Sequence, residues 1–303
     1  MSTSLFHRLL IAPLPWVPRS IVWRLSQRYI AGTDLDSAYG TVGELGALGC
    51  VATVDVLGED STTREEVEAA RDLYLAALQG IDERGLLCNT SVKLSDMGLR
   101  FDTGLCLLVM EEIVACAAQF GNFVRIDMED SSVTSLTLDI YRTLRQRHDN
   151  VGTVIQACLR RSADDVRELL DAGIANLRLC KGIYVEPETI AFRDAGEIRR
   201  SYRSLLEQLF EGGASRVGIA THDPLLVEHA EQAIERLGID RSRYEFQMLL
   251  GVAGTMRDRL VAAGHPVRIY VPFGVRWYAY SMRRLRENPQ IAAHVVGNLL
   301  TRP

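Results

Sequence analysis

The chain has 303 residues, of which 47% are hydrophobic and 24% charged, the balance of a globular protein with a large core. Its net charge is −5, and its 34 basic residues are scattered among 39 acidic ones, which argues against a nucleic-acid partner held by a basic stripe. The six cysteines (Cys50, Cys88, Cys106, Cys116, Cys158 and Cys180) stand far apart without a CxxC pair. That spacing argues against a disulfide framework or a cysteine metal site and reads as reduced, buried thiols in a cytoplasmic protein.

Residues 1–31 form the first unit, an expected N-terminal helical segment. The stretch FHRLLIAPLPWVPRSIVWRLSQRYIAG carries Arg8, Arg19, Arg24 and Arg28 and no acid, and Pro13, Pro15 and Pro18 break its apolar part. It is a poor signal peptide. No uncharged run approaches the roughly 20 residues of a membrane span. An amphipathic segment that packs on the body, or rests peripherally on the inner face of a membrane, fits the pattern.

Residues 32–303 form the second unit. Eight short apolar runs, each ending in a polar residue, alternate with amphipathic stretches: CVATVD (50–55), NTSVKL (89–94), NFVRID (122–127), GTVIQA (152–157), NLRLCK (176–181), RVGIAT (216–221), YEFQML (244–249) and PVRIYV (266–271). Helix starts are signalled by Thr62 and Thr63 before REEVEAARDLYLAALQ and by Ser162 before ADDVRELLDAG, and stops by Gly173 and Gly212. Strand and helix in strict alternation predict an α/β protein with parallel strands, and eight units of this size predict a (βα)8 barrel closed by C-terminal helices. An open doubly wound sheet is the alternative. No strand is followed by GxGxxG, and GELGALG (43–49) has the wrong spacing and precedes a strand, so a Rossmann site has no support.

A (βα)8 barrel carries its active site at the C-terminal mouth. The strand ends there are Asp55, Lys93, Asp127, Gln156, Arg178 with Lys181, Thr221 with His222, Gln247 and Tyr270. Any one of them reads as a satisfied polar group at a strand end; together they make a polar ring. Lys93 and Lys181 are the two lysines of the chain, and both fall in this ring. A compact ammonium reaches into a crowded pocket, or titrates there, where a planar guanidinium does not. In ATHDPLL (220–226) Asp223 and Pro224 start a helix whose free N–H groups favour an anion flanked by Thr221 and His222. His222 and His229 are too far apart to chelate zinc as an i, i+4 pair, so no metal is expected. In YVPFGVRWYAYSMRRLRENPQ (270–290), Tyr280 shares a helix face with Arg283 or Arg284, and Glu287 is spaced to hold either one. Adjacent guanidinia suit a carboxylate or phosphate ligand, although a solvated basic helix end has the same pattern.

Taken in order, VKLSDMGL, VRIDMEDS, LRLCKGIYVEP, ATHD, EFQMLLGV and YVPFG followed by Tyr280, Arg283, Arg284 and Glu287 resemble the proline dehydrogenases of the small, single-activity bacterial type. YIAGTDLDSA and TVDVLGED extend the likeness, which runs from about residue 29 to 290. The resemblance implies a distorted (βα)8 barrel holding noncovalent FAD with the flavin ring over its mouth. It implies oxidation of L-proline to 1-pyrroline-5-carboxylate, the first step of proline catabolism to glutamate, with electrons leaving to a membrane quinone. Carried over by motif, Asp127 and Arg178 are the catalytic pair, and Lys93, Arg283 and Arg284 pair with the substrate carboxylate. Tyr184, Tyr270 and Tyr280 then line the substrate, while Met128, Gln156, Arg178, Lys181, Gly182, Ile183, Thr221, His222 and Glu287 lie on the FAD side.

The chemistry suits those roles. Cations around one carboxylate orient the ring so that the carbon losing hydride sits roughly 3–3.5 Å from the flavin. Positive groups near the flavin stabilise its anionic reduced form, a task for Arg178 or Lys181. Three positions depart from the family: Ile183 stands for alanine, Phe273 for tyrosine and Cys180 for valine. Tyr270 is expected to crowd a ring substituent, favouring proline over hydroxyproline. The residues alone also admit a class I aldolase using Lys93 or Lys181 as a Schiff base, a hydroxyproline dehydrogenase, or a noncatalytic carboxylate-binding barrel.

Overall fold

The structure, a computed structural model, describes residues 19–58 and 60–287; for 21, 25 and 283–287 the backbone alone is described. All eight apolar runs are strands: β1 (Val51–Val56), β2 (Cys88–Val92), β3 (Val124–Ile126), β4 (Val151–Gln156), β5 (Asn176–Cys180), β6 (Arg216–Ala220), β7 (Tyr244–Leu249) and β8 (Val267–Phe273). They pair in parallel, each with its sequence neighbour, and β8 closes on β1 with Val51 opposite Arg268. The barrel follows from strands hidden on both faces, which is why they read as near-continuous apolar runs; all six residues of β4 are buried.

Ten helices are described: α1 (Arg19–Ser26), α2 (Leu35–Ala47), α3 (Arg64–Glu83), α4 (Thr103–Gln119), α5 (Thr134–Arg145), α6 (Ser162–Asp171), α7 (Ala195–Glu211), α8 (Pro224–Leu237), α9 (Gly254–Ala262) and α10 (Trp277–Glu287). At the start of α3, Thr63 accepts from the Glu66 N–H at 3.3 Å while the Glu66 carboxylate accepts from the Thr62 N–H at 2.8 Å. This is a reciprocal cap displaced by one residue. Ser162 differs from its expected role: it lies inside α6, and its hydroxyl donates to the Gln156 carbonyl at 2.6 Å instead of capping. Buried tyrosines fasten the helix layer to the barrel, Tyr74 to the Ser91 carbonyl at 2.9 Å, Tyr202 to that of Leu179 at 3.1 Å, and Tyr141 to that of Ile174.

The ring of helices is irregular at one place. The slot against β8 and β1 is filled by α2, which precedes β1, and α10, which follows β8, packs on α1 instead. The α1–α10 contact packs Trp23 against Trp277 in a tilted arrangement, 4.7 Å between ring centroids, and sets Arg19 over Tyr278. At the boundary between the two sequence units, Ala31 donates to the Pro272 carbonyl and Gly274 donates to that of Gly32, each at 3.0 Å. The second half of the N-terminal segment is thereby tied to the end of β8; residues 1–18 lie outside the described residues. Among those described, no helix is long and apolar enough to cross a membrane.

Candidate active site

A cavity of about 550 Å³ opens at the C-terminal ends of the strands, a volume typical of small-molecule sites. Its floor and walls include Lys93, Asp127, Met128, Arg178 and Tyr270, and the loop after β5 contributes Lys181, Gly182, Ile183 and Tyr184. Thr221 and His222, just before α8, and Tyr280 of α10 line it as well. Gln156 does not line it: buried beneath Gly182, it donates to the Glu129 carbonyl at 2.8 Å. Arg283, Arg284 and Glu287 fall in the last turns of α10, and their side chains lie outside the described residues.

One hydrogen-bonded network centres on Asp127. Its Oδ1 accepts from Arg178 Nη1 at 2.6 Å and from the Ser91 hydroxyl at 2.6 Å, and its Oδ2 accepts from the Tyr270 hydroxyl at 2.8 Å. Burial alone would raise the Asp127 carboxyl, but Arg178, Lys93 and these donors hold it below the usual carboxylate range. Lys93 Nζ donates to Asp55 Oδ1 at 2.7 Å and lies 3.4 Å from the Tyr270 hydroxyl. Burial disfavours the Lys93 ammonium, yet Asp55 and Asp127 outweigh it and raise the Lys93 pKa, so the charge is held. Tyr270 is driven well above its usual value by burial and then by the adjacent carboxylates, so it stays a phenol that donates. The cavity floor is thus a fixed set of donors around one carboxylate, with a captive ammonium beside it.

The wall expected to meet FAD has a different chemistry. Gly182 has φ +93°, and a Cβ there would stand 2.2 Å from Cys158 Sγ, so the loop after β5 passes close to the loop after β4 only without a side chain. Lys181 Nζ is paired with Asp223 at 3.2 Å, and Arg199 Nε reaches the same oxygen at 2.7 Å. Asp223 also accepts from the Leu225 N–H at 3.2 Å, the side-chain cap expected before Pro224 at the start of α8. His222 Nε2 accepts from the Leu249 N–H at 3.0 Å, which puts the ring proton on Nδ1 and leaves a neutral imidazole. An ammonium, a threonine hydroxyl and an imidazole along one wall of the cavity fit a planar heteroaromatic group with polar edges such as a flavin.

Several members of the site were not singled out from sequence. Ser91 braces both Asp127 and Arg178, and Arg268 and the partly exposed Arg216 form an ion cluster around the buried Glu245. Two-residue alternation is the signal that finds them: Ser91 precedes Lys93 by two, Glu245 precedes Gln247, and Arg268 precedes Tyr270, so each shares the inward face of its strand.

The sequence matches the family model described as proline dehydrogenase across residues 38–296. The chain belongs to the proline dehydrogenase family. It is 38% identical over 276 residues to proline dehydrogenase 1 of Bacillus subtilis, covering 91% of this chain and 90% of that one. To the proline dehydrogenase of Deinococcus radiodurans it is 34% identical over 287 residues, covering 93% and 92%. Proline utilization A from Bdellovibrio bacteriovorus, in a crystal structure of the protein inactivated by N-propargylglycine, superposes with a TM-score of 0.84 at 23% identity. That match covers 95% of this chain and 36% of the longer protein, a likeness of fold. Within the family assignment, the mouth of the barrel is where substrate chemistry is sought, and the network around Asp127 lies there.

Proposed function

We propose that the protein oxidises L-proline to 1-pyrroline-5-carboxylate with a noncovalent FAD seated in the mouth cavity, passing the electrons to a membrane quinone. The observation that carries the reading is the fixed network of Asp127, Arg178, Tyr270 and Lys93 on the cavity floor, in a chain of the proline dehydrogenase family. The flavin supplies the two-electron acceptor. Lys93, kept charged by Asp55, offers its remaining proton to the substrate carboxylate, with Arg283 and Arg284 completing the clamp. Asp127, kept anionic, fixes the Tyr270 hydroxyl and the Arg178 guanidinium, and Tyr280 shields the site from water. Gly182, Ile183, Thr221 and His222 form the wall for the flavin, Lys181 and Arg178 bring positive charge to it, and Gln156 supports it from beneath Gly182.

A Schiff-base enzyme is disfavoured because both lysines are ion-paired, Lys93 with Asp55 and Lys181 with Asp223, and a nucleophilic amine must shed its proton. The test is anaerobic addition of L-proline to the purified protein: a flavin absorption band should bleach. Colourless protein that gains no activity from added FAD overturns the proposal.

A further inference from the structure

Arg178 is held from one side by Asp127 and Ser91 and from the other by Gln247, whose Oε1 accepts from Arg178 Nε at 2.5 Å. An amide presents its oxygen in a given direction only if its nitrogen is committed elsewhere. Here Gln247 Nε2 donates to Glu245 Oε1 at 2.6 Å. Glu245 is in turn fixed by Arg268 Nε at 2.6 Å on that same oxygen and by Arg216 Nη2 at 2.8 Å on the other. Burial would push the Glu245 carboxyl up, but Arg268 and Arg216 bring it down to about 2, so it is anionic and accepts only. Space for the amide is reserved on β6, where a Cβ on Gly218 would lie 2.6 Å from Gln247 Nε2.

We infer that Glu245 is a positioning residue for the reaction, acting through Gln247 to fix the plane of the Arg178 guanidinium. With Nε and Nη1 engaged, Nη2 has no hydrogen-bond partner among the described residues, and it is the donor left for the contents of the cavity. Among the described residues, the side-chain hydrogen bonds of Glu245 are to Gln247, Arg268 and Arg216. A glutamine at 245 must set its amide N–H groups either against Gln247 and Arg268 or against Arg216, so it gives up at least one of these contacts and the full charge that holds the others. The inference rests on the reading of Arg178 as an active-site guanidinium.

The test is a double-mutant cycle on the flavin-loaded protein with three changes: Glu245→Gln, Gln247→Met and Arg178→Lys. Gln247→Met conserves volume and spares the contacts of Glu245 to Arg268 and Arg216, so it serves if Glu245→Gln fails to fold. Each protein is assayed for the rate of anaerobic bleaching by L-proline and, by fluorescence titration, for flavin affinity. Gln247→Met should slow bleaching at least tenfold with an unchanged melting temperature and weaken flavin binding; in the Arg178→Lys background it should alter either property by less than twofold. Equal losses in both backgrounds, or Gln247→Met indistinguishable from wild type, would overturn the inference. Wild-type protein that does not bleach at all would overturn the functional reading instead.

Discussion

Asp96, in the loop after β2, has 3% of its surface exposed, and among the described residues neither carboxylate oxygen has a hydrogen-bond partner. Its carboxyl lies over Gly58, where a Cβ would stand 2.2 Å from Oδ2. Burial raises its pKa from 3.8 to about 7, with Lys93 and Arg276 pulling down and Asp55 and Glu129 pushing up. Between those two values the unfolded chain has released a proton that the folded chain keeps, so rising pH favours unfolding across this window. Once Asp96 is ionised in both states, the accumulated cost is ~4 kcal/mol. Asp96→Asn fixes the group in a neutral form of the same shape and sacrifices no observed hydrogen bond. Urea unfolding of both proteins at about pH 5 and about pH 8 isolates the effect. The variant should gain ~3 kcal/mol on the wild type between the two conditions, because the part of the penalty incurred below pH 5 is common to both measurements. Parallel stability changes in the two proteins would refute the argument.

Gly182→Ala should cost ~1–3 kcal/mol from backbone strain and the Cys158 clash, measured as a lower melting temperature, and should release flavin more readily on dialysis. Tyr270→Phe removes the 2.8 Å donor to Asp127 and should raise its carboxyl. Because the reading requires Asp127 to be anionic and kcat/KM follows ionisation in the free enzyme, the acid limb of the kcat/KM profile should move to higher pH. Arg283→Lys and Arg284→Lys keep charge but lose the planar fork, and each should raise the KM for L-proline at least tenfold; unchanged saturation curves would refute the clamp. Ile183→Ala, at a half-exposed position on the cavity wall, should raise the relative rate with hydroxyproline over that with proline.

The barrel was legible because short β-branched or apolar runs alternate with amphipathic stretches eight times, and all eight runs became strands within a residue or two of their expected ends. Lys93 and Asp127 were legible for a related reason: a charge at the end of such a run has the barrel mouth as its outlet. Glu245 was passed over because a charge in the middle of YEFQML looks like an interruption until the barrel brings Arg268 and Arg216 to it from neighbouring strands. Asp223 carried the opposite lesson. Its place before Pro224 marked a helix start correctly, but the local pattern has no means of saying that Lys181 and Arg199 converge on its carboxylate. Gln156 was read as reaching the mouth from the end of β4, whereas its side chain turns beneath Gly182 toward the Glu129 carbonyl.

Because α2 occupies the slot against β8 and β1, the last of the eight barrel strands to leave the ribosome helps to cover the first helix of the ring. Until β8 is synthesised, the part of α2 that packs on it and the facing edges of β1 and β7 have no cover, and the pairing that supplies it joins strands far apart in sequence. Such distant pairing is slow, and exposed strand edges associate with other chains while they wait. Chains ending before Val267 should therefore aggregate rather than form a smaller barrel, and nascent protein should depend on chaperones up to the moment of closure.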